Sequence, residues 1–247
     1  MDETTLMWVE ILFNLGYLVA IYWLVALMFR QKPKLPQAKQ HQAAPIIWAF
    51  LLLALGDTGH VGFRVLAYAL GDLEATVSVF GRDVGLVGVG ALSTAITVTF
   101  FYMLVLVAWS RRFEKPLGWF GWLLMLAGAA RLVYMTFPQN QWNSQVPPQP
   151  YSLYRNAFLV VQGLGAAYLI LRDALREKDR TFIWVGVCIL LSYAFYTPVI
   201  LFVQRVPVIG MLMIPKTLAY VAIAVLAYRG LYRQPPSRIV QAEPSSS

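Results

Sequence analysis

In the run LLLALGDTGHVGFRVLAYAL, residues 51–70, an acid, an imidazole and a guanidinium interrupt an otherwise apolar segment. Asp57, His60 and Arg64 follow one another at three and four residues, so on a helix they share one face. A carboxylate that orients an imidazole is an arrangement for general acid–base catalysis, and a neighbouring guanidinium can stabilise a developing anion or hold a phosphate. Without any bond-breaking, the same groups make a recognition surface. The choice rests on what surrounds them.

The 247 residues are 59% hydrophobic and 13% charged, with a mean hydropathy of +0.60; an ordinary soluble domain has about 25% charged and 45–50% apolar residues. A soluble core cannot hide this many apolar stretches of membrane-spanning length, so the composition points to one membrane-embedded bundle. A net charge of +8 would suit nucleic acid. The cations instead cluster in alternate connections between apolar runs, which excludes a nucleic-acid partner and makes the lipid bilayer the expected one. The acidic opening MDETT is unlike a cleavable secretory signal, so the first span is expected to be retained. Cys188 is the only cysteine and forms no intrachain disulfide.

An all-α, seven-helix polytopic bundle is predicted over residues 1–233, with spans at about 6–29, 44–70, 84–110, 117–137, 154–171, 182–203 and 208–228. Spans one, three, five and seven are followed by RQKPKLPQAK, RRFEKP, RDALREKDR and YRGLYRQPPSR. These basic ends should be cytoplasmic, which puts the N-terminus outside and the C-terminus inside. A multi-pass protein of the cell membrane, in a compact chain that suits a bacterial inner membrane, is expected. The Pro- and Ser-rich residues 234–247 read as a disordered cytoplasmic tail.

A helix rises about 1.5 Å per residue, which places Asp57 roughly 10 Å beneath the outer edge. Arg131 and Tyr196 come out about 9 Å deep and Lys216 about 12 Å. Arg64, Arg155 and Asn156, with the outer-loop residues Gln139, Asn140 and Trp142, would form a rim above them, and Pro138–Trp142 a lid. Each intramembrane charge costs about 2.5–3.5 kcal/mol at a helix centre, so these groups must be paired, hydrated or useful. Asp57 can pair one cation and Glu10 another, which leaves positive charge in excess and favours an anionic ligand.

Structural roles compete with this reading. Asp57 and Arg131 could form a salt bridge joining spans two and four; Arg64 and Arg155 could snorkel to headgroups. Ser93, Thr94, Thr97 and Thr99, with Gly85, Gly88 and Gly90, suit close helix packing. Trp8, Trp23, Trp109, Trp119, Trp142 and Trp184 suit interfacial belts. Pro198 and Pro215 each remove a helical hydrogen bond and free the carbonyls of Ala194 and Met211, which predicts kinks beside the pocket. With His41 as the only other histidine, no metal site is expected.

Through GDTGHVGFR, FPQNQW, YTPV and GMLMIPKT the chain resembles uncharacterised bacterial seven-helix membrane proteins, a likeness that spans most of the bundle. It implies the architecture and brings no activity with it. Lys216, in the last of seven helices, also resembles the Schiff-base position of the rhodopsins in its placement. No cofactor is expected; the likeness makes retinal on Lys216 a remote alternative, with Asp57 substituting as counterion because span three has no acid or arginine in its core.

Two functions follow. The first is a receptor-like or sensor-like protein holding a small anionic ligand or lipid headgroup in an outward-facing pocket of Asp57, His60, Arg64, Arg131, Arg155, Asn156, Tyr196 and Lys216. The alternative is an intramembrane enzyme acting on a lipid or isoprenoid substrate, with Asp57 and His60 as its catalytic pair. The excess of positive charge favours recognition.

Overall fold

The computed structural model describes residues 3–79, 82–144 and 147–233; the tail expected to be disordered lies outside them. Seven helices are long and apolar enough to cross a membrane. They are α1 (Glu3–Gln31), α2 (Gln37–Ala69), α3 (Leu86–Arg112), α4 (Gly118–Met135), α5 (Tyr151–Glu177), α6 (Arg180–Phe202) and α7 (Met213–Ala227). Each packs on its neighbour in sequence, α7 returns to α1, and α3 also touches α5. The result is a closed ring of helices whose large exposed side chains, such as Val19, Trp23, Leu126, Val161 and Leu218, are apolar. Such a surface suits lipid and fits an integral, multi-pass membrane protein.

Small residues bring α2 and α3 together. A methyl group at Gly56 would lie 1.8 Å from Thr97 Oγ1, and one at Gly90 would lie 3.0 Å from the Cα of His60. Backbones this close explain the glycines and hydroxyls of the two helices as a packing seam. Inside the ring, Phe101 meets Phe50, Tyr102 and Tyr220 edge-on at centroid distances of 5.3, 5.2 and 5.4 Å. The Tyr102 and Tyr220 hydroxyls bond each other at 2.8 Å, which satisfies two polar groups in an otherwise apolar centre.

The helix ends depart from the sequence reading at α2, at α7 and in the α2–α3 connection, and α5 runs on to Glu177, six residues past the expected 171. Helix α2 starts at Gln37, seven residues before the expected 44, because the good helix formers QAKQHQAA continue it past the apolar run. Pro45 therefore lies within the helix, where it frees the carbonyl of His41. Arg111 Nη1 donates to that carbonyl at 3.1 Å. Pro215, expected to kink span seven, is the third residue of α7, after a 3₁₀ turn over Pro207–Leu212. Nitrogens of a first helical turn have no intrahelical partner, so Pro215 opens the helix and does not bend it. Pro198 does lie inside α6. Finally, the connection between α2 and α3 contains an antiparallel ribbon of β1 (Thr76–Val79) and β2 (Arg82–Gly85), paired from Thr76 with Gly85 to Val79 with Arg82. The alternating, β-branched TVSV carries that signal.

Two kinds of end result. At the hairpin end, Asn143 of the α4–α5 connection accepts from Gly85 N at 3.1 Å and donates to Asp83 O at 3.2 Å, which ties ribbon and loop together. At the basic end, Arg112 Nε meets Asp179 Oδ2 at 2.8 Å, and Asp179 also caps α6 by accepting from Phe182 N.

Candidate anion-binding site

The eight residues expected to share one pocket lie toward the hairpin end but divide among the helix interfaces. Asp57 accepts from Tyr17 Oη at 2.7 Å and from the Thr94 hydroxyl. Both carboxylate oxygens are thus held by neutral donors on α1 and α3. Thr94, expected only to pack, is one of them. No hydrogen bond among the described residues joins Asp57 to His60.

The Asp57–Arg131 bridge that competed with the pocket reading is absent among the described residues, for a geometric reason. Helix α3 stands between α2 and α4 in the ring, so the two charges share a depth without facing each other. Arg131 is 2% exposed and turns toward α3 and α5. Its Nε donates to the Arg155 carbonyl at 2.9 Å, and its Nη1 to the Ala95 carbonyl at 2.6 Å and to the Thr99 hydroxyl.

Arg155 does not snorkel. It is 8% exposed, and its guanidinium carbon lies 4.3 Å from the ring centroid of Trp142. Its Nη1 is buried and has no hydrogen-bond partner among the described residues. Trp142 is held in turn by its Nε1, which donates to the Met135 carbonyl at 2.9 Å. The tryptophan thus belongs to the site and not to an interfacial belt. Its other surroundings form a shallow, open depression on the surface of the loop, lined also by Thr136, Gln141 and Asn143.

Lys216 Nζ lies 4.0 Å from the ring centroid of Tyr196 and 5.9 Å from that of Tyr220. A cation over aromatic faces gains a modest electrostatic attraction that leaves its charge uncompensated. Tyr196 donates to Asn156 Oδ1 at 3.1 Å. Lys216 is within electrostatic range of both Asp57 and Arg131. His60 and Arg64 fall elsewhere, in a cleft between α1 and α2 with Glu10, whose Oε1 accepts from Arg64 Nη1 at 2.9 Å.

Three cations, Arg131, Arg155 and Lys216, consequently have no ion pair among the described residues. At the basic end the opposite holds. Asp173, fully buried, meets Lys115 Nζ at 2.9 Å and Arg172 Nη2 at 2.8 Å. It also accepts from Trp109 Nε1 at 3.0 Å. Trp109 is 2% exposed, so it too is no belt residue; its indole N–H needed a buried acceptor and found one on α5.

Sequence reasoning missed Asp173 and Gln162, whose carboxamide is buried with neither polar atom partnered among the described residues. Arg155, Gln162 and Asp173 are spaced by seven and eleven residues, which returns each to the same face of α5. That periodicity was the available signal. No family model, curated protein or solved structure matches the chain.

Proposed function

We propose that this membrane protein captures an anionic group, carried by a small ligand or a lipid headgroup, at the hairpin end of its bundle. Arg155 makes first contact from behind Trp142. Arg131, one layer deeper on α4, fixes the α5 backbone under Arg155 and adds positive potential. Lys216 supplies further charge from α7, and Tyr196 and Asn156 offer neutral hydrogen bonds. With the basic residues of the opposite end read as cytoplasmic, the hairpin end faces outward and the ligand arrives past Trp142 of the α4–α5 loop.

The observation that carries this reading is the unpartnered, buried Nη1 of Arg155; Arg131 and Lys216 likewise make no ion pair among the described residues. A buried charge without a partner costs several kcal/mol of order, and an oxyanion is the group that removes that cost. Guanidinium donors hold oxyanions in fixed geometry, which favours phosphate- or carboxylate-type groups. The enzyme alternative draws less support, because both oxygens of Asp57 are engaged by hydroxyls.

Calorimetric titration of the detergent-solubilised protein with inorganic phosphate tests the proposal. Saturable binding is expected, and Arg155→Gln should weaken it about tenfold or more, the loss of one charge-assisted hydrogen-bond pair. If phosphate and phosphatidylglycerol vesicles both bind Arg155→Gln as tightly as the parent, the site is not where the anion sits. Binding of vesicles alone would identify a lipid headgroup as the ligand, and binding of phosphate a soluble one.

A further inference from the structure

The two sides of the basic end are charged differently. On the side of α3 to α6 the cations meet acids: Arg112 pairs with Asp179 at 2.8 Å, and Lys115 and Arg172 pair with Asp173 at 2.9 and 2.8 Å. On the other side, the α1–α2 connection and the end of α7 carry Arg30, Lys32, Lys34, Lys39, Arg229 and Arg233, and neither residues 28–43 nor residues 228–233 include an acid. Arg30, Lys39, Arg229 and Arg233 are exposed and make no ion pair among the described residues.

These cations stand on a fixed frame. The chain leaves α1 in a 3₁₀ turn over Lys32–Lys34. Leu35 is buried in the core, and Gln40 Nε2 donates to its carbonyl at 2.7 Å. Helix α7 ends in a π-helical turn, Tyr228–Tyr232, that packs on both α1 and α2. Tyr232 is buried, and its hydroxyl donates to the Ala43 carbonyl at 2.5 Å. Two anchored segments thus hold like charges together, and an anion from another molecule relieves their repulsion. On the membrane side of these cations, Phe29 of α1 and Trp48 of α2 meet edge-on with ring centroids 5.9 Å apart, and they remain 40% and 49% exposed. Exposed aromatic rings beneath a cluster of cations suit a membrane interface, with the rings among acyl carbons and the charges among phosphates.

We infer that the junction of α1, α2 and α7 at the basic end binds an anionic phospholipid, with its phosphate among Arg30, Lys39, Arg229 and Arg233 and an acyl chain along Phe29 and Trp48. A cluster of four or more Lys or Arg residues beside a membrane span attracts anionic lipid, and each contributes a factor of about five in affinity. A zwitterionic headgroup carries its own ammonium and gains little from such a cluster. A soluble polyanion would use the charges and leave the aromatic pair without a role.

Native mass spectrometry of the full-length protein, released from nanodiscs of equal parts phosphatidylglycerol and phosphatidylcholine, tests this. The measurement is made in an Arg155→Gln background, so that lipid held at the anion site does not enter the count. The glycerol lipid should be retained over the choline lipid by about tenfold or more, a preference that shrinks as the ammonium acetate concentration is raised. Arg30→Gln with Lys39→Gln should lower the ratio by about tenfold or more, and Arg229→Gln with Arg233→Gln should do the same. Arg176→Gln with Lys178→Gln removes equal charge from the far side of the basic end and should change the ratio by less than about twofold. Thermal melts of each variant establish that it is folded. Equal retention of the two lipids overturns the inference, as does an unchanged ratio in the folded Arg30→Gln, Lys39→Gln variant. An equal loss in all three pairs also overturns it, because a diffuse field and not a site would then hold the lipid.

Discussion

Asp173→Ala is expected to destabilise the bundle by ~2–3 kcal/mol, the scale of losing charge-assisted hydrogen bonds and leaving a buried donor without an acceptor, because the two cations left behind are each about one third exposed. The carboxylate is fully buried and collects the side chains of three chain segments: Trp109 from α3, Lys115 from the α3–α4 connection and Arg172 from α5 itself. Its loss leaves the Trp109 indole N–H buried with no acceptor. Lys115 is left only a distant contact with Glu177, at 3.8 Å. Asp173→Asn keeps the volume but turns an amide donor toward a cluster of donors, so it should fall between Ala and the parent. The check is thermal unfolding in a mild detergent, followed through tryptophan emission. If Asp173→Asn melts with the parent, the charge at this position does not hold the basic end together.

Gly88→Ala should act at the other end, and through backbone. A methyl group there would lie 1.4 Å from the carbonyl oxygen of Trp142. A flexible side chain could move aside, but here the α4–α5 loop itself must shift. Overpacking of this kind costs ~1–3 kcal/mol. The shift should also pull the Trp142 ring from Arg155 and its Nε1 from the Met135 carbonyl. The expected result is a lower melting point together with a red-shifted Trp142 emission, read as the difference from the same variant carrying Trp142→Phe. Gly62→Ala serves as the contrast, because nothing lies within 4 Å of its added methyl. That helix-interior change should be neutral or stabilising by ~0.5–1 kcal/mol. Unaltered melting and emission in Gly88→Ala would mean that the loop is not seated on α3 as described.

The seven helices are legible in the sequence because hydropathy reports what a lipid-embedded segment must be, and every span requires about twenty apolar residues. Their polar extensions are less so. Gln37 to Ala43 is helical by propensity and contacts, features that an apolar window does not register. The hairpin went unread because four residues of alternation inside a polar connection are a short signal beside a twenty-residue one.

At the candidate site, position along each span could be read from the sequence, and it puts the residues toward the hairpin end. Helix rotation could not. Asp57 and Arg131 share a level, which made a bridge between them one of the competing readings, yet α3 stands between them and neutral hydroxyls from Tyr17 and Thr94 take the carboxylate. Glu10 was legible as the second acid available to a cation, and it does pair, with Arg64. Trp142 was legible as a rim residue but not as the partner of a guanidinium, and the role of Trp109 was hidden, for a simple reason. A tryptophan near a span end looks the same in sequence whether its ring faces headgroups, a carboxylate or a guanidinium.

The most direct measurement is an electron cryomicroscopy map of the full-length protein in nanodiscs containing phosphatidylglycerol, recorded with and without added inorganic phosphate. The account predicts density for a phosphate group within hydrogen-bond distance of Arg155 Nη1, with the Trp142 ring displaced from the 4.3 Å stack over the guanidinium. A map in which Trp142 keeps that stack and no density reaches Arg155, Arg131 or Lys216 under either condition would contradict it.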